Sequence, residues 1–244
     1  TDEKKRRHVI PTYMGLISEI DHHIGRLISF LDTNNLSENT VIIFTSDHGD
    51  YLGDHWLGEK DLFHEPSIRI PLIIVEPKMP INLRGTSEKR MVESVDIVPT
   101  IVETMGGSYA SNRMEGRSLV PLLFGDNPAW RDTVFAEIDY SERGARQVLD
   151  KHPYECRGYM IKNTQWKYIY WEGCRAQLYD LLNDPNEFND LAENHDQSER
   201  LEDFEKQLFS WLRNRKQRTV VELDELYKRS PEADEKAGII IGRW

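Results

Sequence analysis

Residues 41–50 of this 244-residue chain read VIIFTSDHGD: four apolar residues in a row, then two hydroxyls, two carboxylates, an imidazole and a glycine. A short apolar run without alternation requires cover on both faces, which is the condition of a strand inside a layered α/β sheet. A second such run, Ile70–Val75, follows a long polar loop. Upstream, Tyr13, Leu16, Ile17, Ile20, Ile24, Leu27, Ile28 and Leu31 fall at the three-and-four spacing of one helical face, which predicts an amphipathic helix from Pro11 to Leu31. Downstream, Asp96 is placed to cap a helix from Ile97 to Met105, with Pro99 in its first turn and Gly106-Gly107 at its end.

Helix, strand, loop, strand and helix in that order imply a doubly wound, mostly parallel sheet flanked by helices over residues 1–129. Sheets of that kind bind ligands at the carboxyl ends of their strands, where Asp47 and His48 stand. From about residue 130 the pattern changes. TVFAEID and the hairpin GYMIKNTQWKYIYWEG, folded about Asn163-Thr164-Gln165, predict a small antiparallel sheet. After the turn Asn183-Asp184-Pro185-Asn186 a helix over 197–216 aligns Leu201, Phe204, Leu208, Trp211 and Leu212. The second domain is therefore 130–218. The remainder, 219–244, is a charged tether ending GIIIGRW, expected to dock on its own domain or to contact another subunit of a homo-oligomer.

The charge balance narrows the partners. With 31 Lys and Arg against 42 Asp and Glu, the net charge of -11 disfavours nucleic acid and leaves a small anionic substrate held by a local cation. No stretch approaches ~18 consecutive apolar residues, so no membrane span is expected, and TDEKKRRHV has no apolar signal core. Cys156 and Cys174 have no metal-binding spacing. They read as free thiols in a reducing, cytoplasmic setting, with a cross-strand disulfide as the alternative because the hairpin brings their ends together.

A carboxylate and an imidazole where a buried strand ends are a donor pair suited to Mn, Fe or Zn more than to Ca, with an ordinary turn as the other reading of Asp-His-Gly. Gly49 is expected to allow a sharp turn there. The following loop holds Asp54, His55, Glu59, Lys60, Asp61, His64 and Glu65, and long loops in compact α/β domains are mostly functional. Asp50 and Asp54 are candidate partners of the imidazole, and Arg69 a fastener of the loop to the strand. His22 and His23, inside the first helix, read as packing or surface residues.

SDHGD, the glycine-rich loop with Lys60 and HEPSIRIPLII resemble the sulfatases and phosphonate monoester hydrolases of the alkaline phosphatase superfamily. EIDHHIGRLISFLD, VDIVPTIVETMGG, GRSLVPLLFG, WKYIYWEG and QLYDLLNDPNEFNDLAEN extend the resemblance over about residues 10 to 215, in the family's order. LGDHWLGEK and the tail GIIIGRW favour the phosphonate monoester hydrolase branch. The resemblance implies that Asp47 and His48 bind one divalent metal, Mn first with Zn, Fe or Ca as alternatives, and that Lys60 contacts a nonbridging substrate oxygen. His55 and His64 are further candidate catalytic residues. It also implies a nucleophile, a formylglycine or a serine or threonine, in a motif such as Cys-x-Pro-x-Arg. Neither Cys156-Arg-Gly-Tyr nor Cys174-Arg-Ala-Gln matches it. The expectation is thus the C-terminal part of a metal-dependent hydrolase of phosphonate, phosphate or sulfate esters, inactive in isolation. An arylsulfatase-type hydrolase and a non-catalytic scaffold are the alternatives.

Overall fold

The structure is a computed structural model that describes residues 3–216 together with 225 and 228. The expectations for the 219–244 tail lie outside the described residues, those two positions aside. The chain divides into two compact units, Thr1–Val92 with Pro121–Trp211, and Glu93–Val120 with Leu212–Trp244. This division does not follow the 129/130 boundary read from the sequence.

The first unit begins with α1 (Glu3–Thr33), which starts before Pro11 and runs through it. An interior proline removes one i→i−4 bond, and the strongly periodic sequence on its C-terminal side carries the helix despite that loss. Leu16, Ile17, Ile20, Leu27 and Ile28 on the predicted apolar face are exposed, and Leu31 is buried. Strands β1 (Ile42–Thr45) and β2 (Leu72–Val75) enclose the long loop, which contains the one-turn helix α2 (Glu65–Ile68). They pair antiparallel, Ile42 opposite Val75 and Thr45 opposite Leu72. The α/β character stands, but the mostly parallel sheet does not: among the described residues both sheets are antiparallel. A parallel neighbour needs a crossover of a dozen or more residues across the sheet, usually a helix, and the 46–71 connection folds back instead. Ile73 and Val75 are exposed while Leu72 and Ile74 are half-buried, so the unalternating sequence still has one open face.

The second unit holds α3 (Ile97–Thr104), closed by Gly106 at φ 77° and by Gly107 N–H donating to the Val102 carbonyl. Asp96 does not cap α3 through its side chain. Its buried carboxylate accepts from Glu93 N at 2.8 Å and Arg117 N at 2.7 Å, joining the entry of the helix to the 116–118 segment.

After α4 (Val120–Leu123) the first unit resumes with β3 (Val134–Asp139), the short α5 (Gly144–Val148), β4 (Arg157–Lys162), β5 (Trp166–Trp171) and β6 (Gln177–Asp180). These strands form an antiparallel sheet in the order β3-β4-β5-β6. The hairpin turns at the expected residues, where Asn163 Oδ1 accepts from Gln165 N and Trp166 N. β6 carries no sequence signal of its own beyond four residues, and the sequence reading missed it. The last helix, α6 (Ser198–Arg213), buries Phe204 and Leu208. Its aromatic contacts are with one face of the sheet, Phe204 on Tyr168 and Trp211 on Phe135. The other face packs Met160, Ile169 and Tyr179 around Phe63, a residue of the long loop. The small sheet is therefore built onto the loop that follows Lys60. Both cysteines are free thiols, Cys156 buried and Cys174 exposed.

Candidate active site

β1 delivers the chain to Asp47 and His48, and local hydrogen bonds fix them. Ser46 Oγ donates to the His48 carbonyl at 2.5 Å, and the His48 N–H donates to Asp47 Oδ1 at 2.9 Å. That N–H, seconded by the nearby Lys60 charge, holds the Asp47 carboxyl below its ordinary range. Gly49 N–H donates to the Ser67 carbonyl at 2.7 Å. A Cβ on Gly49 would stand 1.9 Å from the Pro66 carbonyl oxygen, and its φ is not positive. Glycine is required here for a close backbone approach rather than for a positive φ.

The imidazole of His48 is oriented on both nitrogens. Nδ1 lies 2.7 Å from the Gly49 carbonyl, which can only accept, so Nδ1 carries the proton and Nε2 presents its lone pair. Lys60 Nζ is 2.8 Å from Nε2, and Asp47 Oδ2 is 3.3 Å from it. The structure thus brings Asp47, His48 and Lys60 together as the sequence anticipated. The Asp47 side chain is 84% exposed and that of His48 37%, and the Nε2 lone pair accepts from Lys60. Asp50 is not the imidazole's partner; its Oδ1 accepts from Leu52 N, and a backbone carbonyl takes the orienting role instead. Arg69 is exposed, and His22 and His23 sit on the exposed surface of α1.

The neutral imidazole, its second nitrogen tied to a carbonyl, and an ionised carboxylate beside it form a donor pair that fits a divalent metal. Here both face an ammonium. Among the described residues no group of three or more His, Cys, Asp or Glu could hold a metal ion.

Between Asp50 and Asp61 the loop closes on itself through Tyr51 N to Glu59 O and Gly53 N to Leu57 O. Leu52, His55, Trp56, Glu59 and Asp61 all have positive φ. Non-glycine residues in that region cost of order 1 kcal/mol or more each and cluster at functional loops. His55 and His64, the other two candidates, lie together rather than with Asp47 and His48. Their rings stack at 4.0 Å, His55 also meets Phe188, and His64 Nδ1 shares a 2.9 Å hydrogen bond with the Tyr51 hydroxyl.

Burial, followed by the nearby His55 and Lys167, pushes the His64 pKa down to about 4 from 6.5. The folded state therefore keeps His64 neutral while the unfolded chain takes up a proton below 6.5. Stability is present above 6.5 and is lost as pH falls from 6.5 to about 4. In His64→Gln, which keeps a partner for Tyr51 but cannot titrate, the dependence of Tm on pH across that window flattens.

The sequence reading missed a second group. Lys167, fully buried, lies 2.5 Å from Glu187 Oε1 and 2.9 Å from Glu65 Oε1, and donates to the Phe63 carbonyl at 2.8 Å. Lys162 meets Glu65 at 2.5 Å, and Glu65 N–H donates to Glu187 Oε2 at 2.6 Å. Burial alone would raise the Glu65 pKa, but Lys167 and Lys162 overcome it and hold the carboxyl below its usual value. Only the alternation of β5, which puts Lys167 and Ile169 on one face, hints at a buried lysine in the sequence.

The chain belongs to the sulfatase family of the alkaline phosphatase superfamily: the family model described as Sulfatase matches residues 1–108, which include Asp47, His48 and Lys60. The chain is 34% identical over 240 residues to the multifunctional alkaline phosphatase superfamily protein PehA of Trinickia caryophylli, covering 95% of this chain and 45% of that protein. It is 28% identical over 218 residues to an arylsulfatase of Clostridium perfringens, covering 88% of this chain and 42% of that one. The phosphonate monoester hydrolase of Agrobacterium radiobacter superposes with a TM-score of 0.78 at 32% identity, over 82% of this chain and 40% of that structure. The chain thus spans less than half the length of these relatives.

Proposed function

We propose that the protein is a metal-dependent hydrolase of phosphonate or phosphate esters, and that this chain supplies half of its metal site and an anion-binding lysine. The observation that carries the reading is the convergence of His48 Nε2, the Asp47 carboxylate and Lys60 Nζ within 3.3 Å of the imidazole nitrogen. Asp47 and His48 would hold one divalent ion, Mn first, with Zn, Fe or Ca as alternatives. When bound, such an ion supplies Lewis acidity at a phosphoryl or sulfuryl oxygen. His48 donates Nδ1–H to Gly49, which leaves Nε2 unprotonated for an ion that displaces Lys60 from it, and Asp47 stays ionised through the His48 N–H. Lys60 places a positive charge where negative charge accumulates on a nonbridging oxygen. His55 and His64 line the same loop as supports for its conformation.

The nucleophile, a formylglycine or a serine or threonine, would come from sequence outside Thr1–Trp244, and residues 1–244 alone would be inactive. Two observations support this: neither cysteine has a Cys-x-Pro-x-Arg setting, and the apolar face of α1 and the outer face of β2 are exposed. The arylsulfatase among the relatives favours a second reading, a sulfate ester hydrolase. Full-length protein assayed on matched aryl phosphonate and aryl sulfate esters gives the higher kcat/KM for the phosphonate under the first reading and for the sulfate under the second. No turnover of either, with no bound metal, would leave a scaffold.

Lys60→Ala in the full-length enzyme is expected to lower kcat by roughly 10²–10³-fold, the cost of one charge-stabilising donor, while bound metal stays stoichiometric. Unchanged kcat would remove Lys60 from the site.

A further inference from the structure

Lys162 and Lys167 lie on the small antiparallel sheet, Glu187 in the turn that follows it and Glu65 on the segment just after Lys60, and one continuous set of contacts connects them to the metal ligands. Lys167 holds the Phe63 carbonyl at 2.8 Å, and Glu187 holds the Glu65 N–H at 2.6 Å. Both positions flank the start of α2. Two residues into α2, the Ser67 carbonyl accepts from Gly49 N at 2.7 Å, and the Gly49 carbonyl accepts from His48 Nδ1 at 2.7 Å. Gly49 has no room for even a methyl group against Pro66, so a displacement of α2 passes directly into the backbone beside His48. Two lysines and two glutamates make the cluster electroneutral. Lys167 and Glu187 have no exposed side-chain surface, so neither can relax into water.

We propose that Lys167 and Glu187 are positioning residues for the Asp47–His48–Lys60 site: by clamping Phe63 and Glu65 they fix α2, and α2 fixes the tautomer and direction of the His48 ring. The proposal rests on the reading of Asp47 and His48 as metal ligands. It gives the small sheet a part in the chemistry although it contributes no residue to the site itself. The partner of a ligating imidazole is a recognised tuning element; here that partner, the Gly49 carbonyl, is itself held from the sheet.

The test separates positioning from stability in the full-length protein. Lys167→Met removes the clamp on Phe63 and leaves an excess buried negative charge. Lys167→Met/Glu187→Gln removes one charge of each sign, so it keeps the fold even where the single variant does not. Mn(II) affinity read by electron paramagnetic resonance is expected to weaken about 10- to 100-fold in both, the range seen when an outer partner of a ligand is lost. Arg175→Ala, which breaks the Arg175–Asp190 pair in the loops beside the same sheet, leaves it unchanged. Nitrogen-15 shifts of the His48 ring in metal-free protein give a readout independent of metal. Wild type shows the Nδ1–H tautomer, and both variants show a mixture. A folded double variant with wild-type Mn(II) affinity and a wild-type His48 pattern overturns the proposal. Wild type that binds no Mn(II) counts against the metal reading, and the tautomer comparison then decides the positioning claim by itself.

Discussion

His48→Ala in the full-length protein loses its metal and its turnover together. Nε2 is the uncharged member of the donor pair, and its direction is set by the Nδ1 bond to Gly49 at 2.7 Å. Loss of a partner outside the ligand shell already costs 10–100-fold in affinity, so removal of the ligand itself should exceed about 10²-fold. Alanine at this position also frees Lys60, whose Nζ donates to Nε2 at 2.8 Å, to approach the Asp47 carboxylate. The remaining carboxylate is then neutralised by an ammonium, which further disfavours a dication. Elemental analysis of purified protein, with kcat/KM on the better ester substrate, checks the result. Stoichiometric metal retained by His48→Ala would falsify the assignment of this residue.

The largest stability effect falls on Lys167→Met. Removing one partner of a buried ionic group leaves uncompensated charge, at a cost of about 3–5 kcal/mol, whereas replacing balanced charges together is often near neutral. In the single variant Glu65 and Glu187 share only Lys162, which is itself at the edge of the cluster and 16% exposed. Adding Glu187→Gln restores neutrality and keeps an oxygen to accept the Glu65 N–H, so the double variant should recover most of the loss. Urea unfolding of both at one pH measures the difference. Additive destabilisation, with no recovery in the double variant, would show that the lysine contributes through its hydrogen bond to the Phe63 carbonyl rather than through charge balance.

Much of the site was legible in the sequence because it is local. Asp47 and His48 follow directly from the end of an apolar strand, and Lys60 lies twelve residues on in a loop too polar and too long to be a simple connection. The hairpin about Asn163 and the apolar stripe of α6 were also plain, since each is set by a turn residue or a helical period. β6 was not, being a four-residue strand whose identity depends on pairing with β5. The sheet direction at β1 and β2 was misread because an apolar run states that a strand is covered and says nothing of which way its neighbour runs.

The sequence by itself determined which chemical groups stand at the end of β1, roughly where the three longest helices and the hairpin lie, and that residues 41–75 hold a long polar loop between two apolar strands. Tertiary structure alone decided that the Gly49 carbonyl, not Asp50, orients His48, that His55 and His64 stack with each other away from Asp47 and His48, and that Lys167 and Glu187 meet Glu65 across about a hundred residues of chain. The physical reason is range. Period, turn chemistry and strand ends act over a few residues, whereas a buried charge is tolerated only where opposite charges from distant segments arrive to meet it, and no local pattern encodes that meeting.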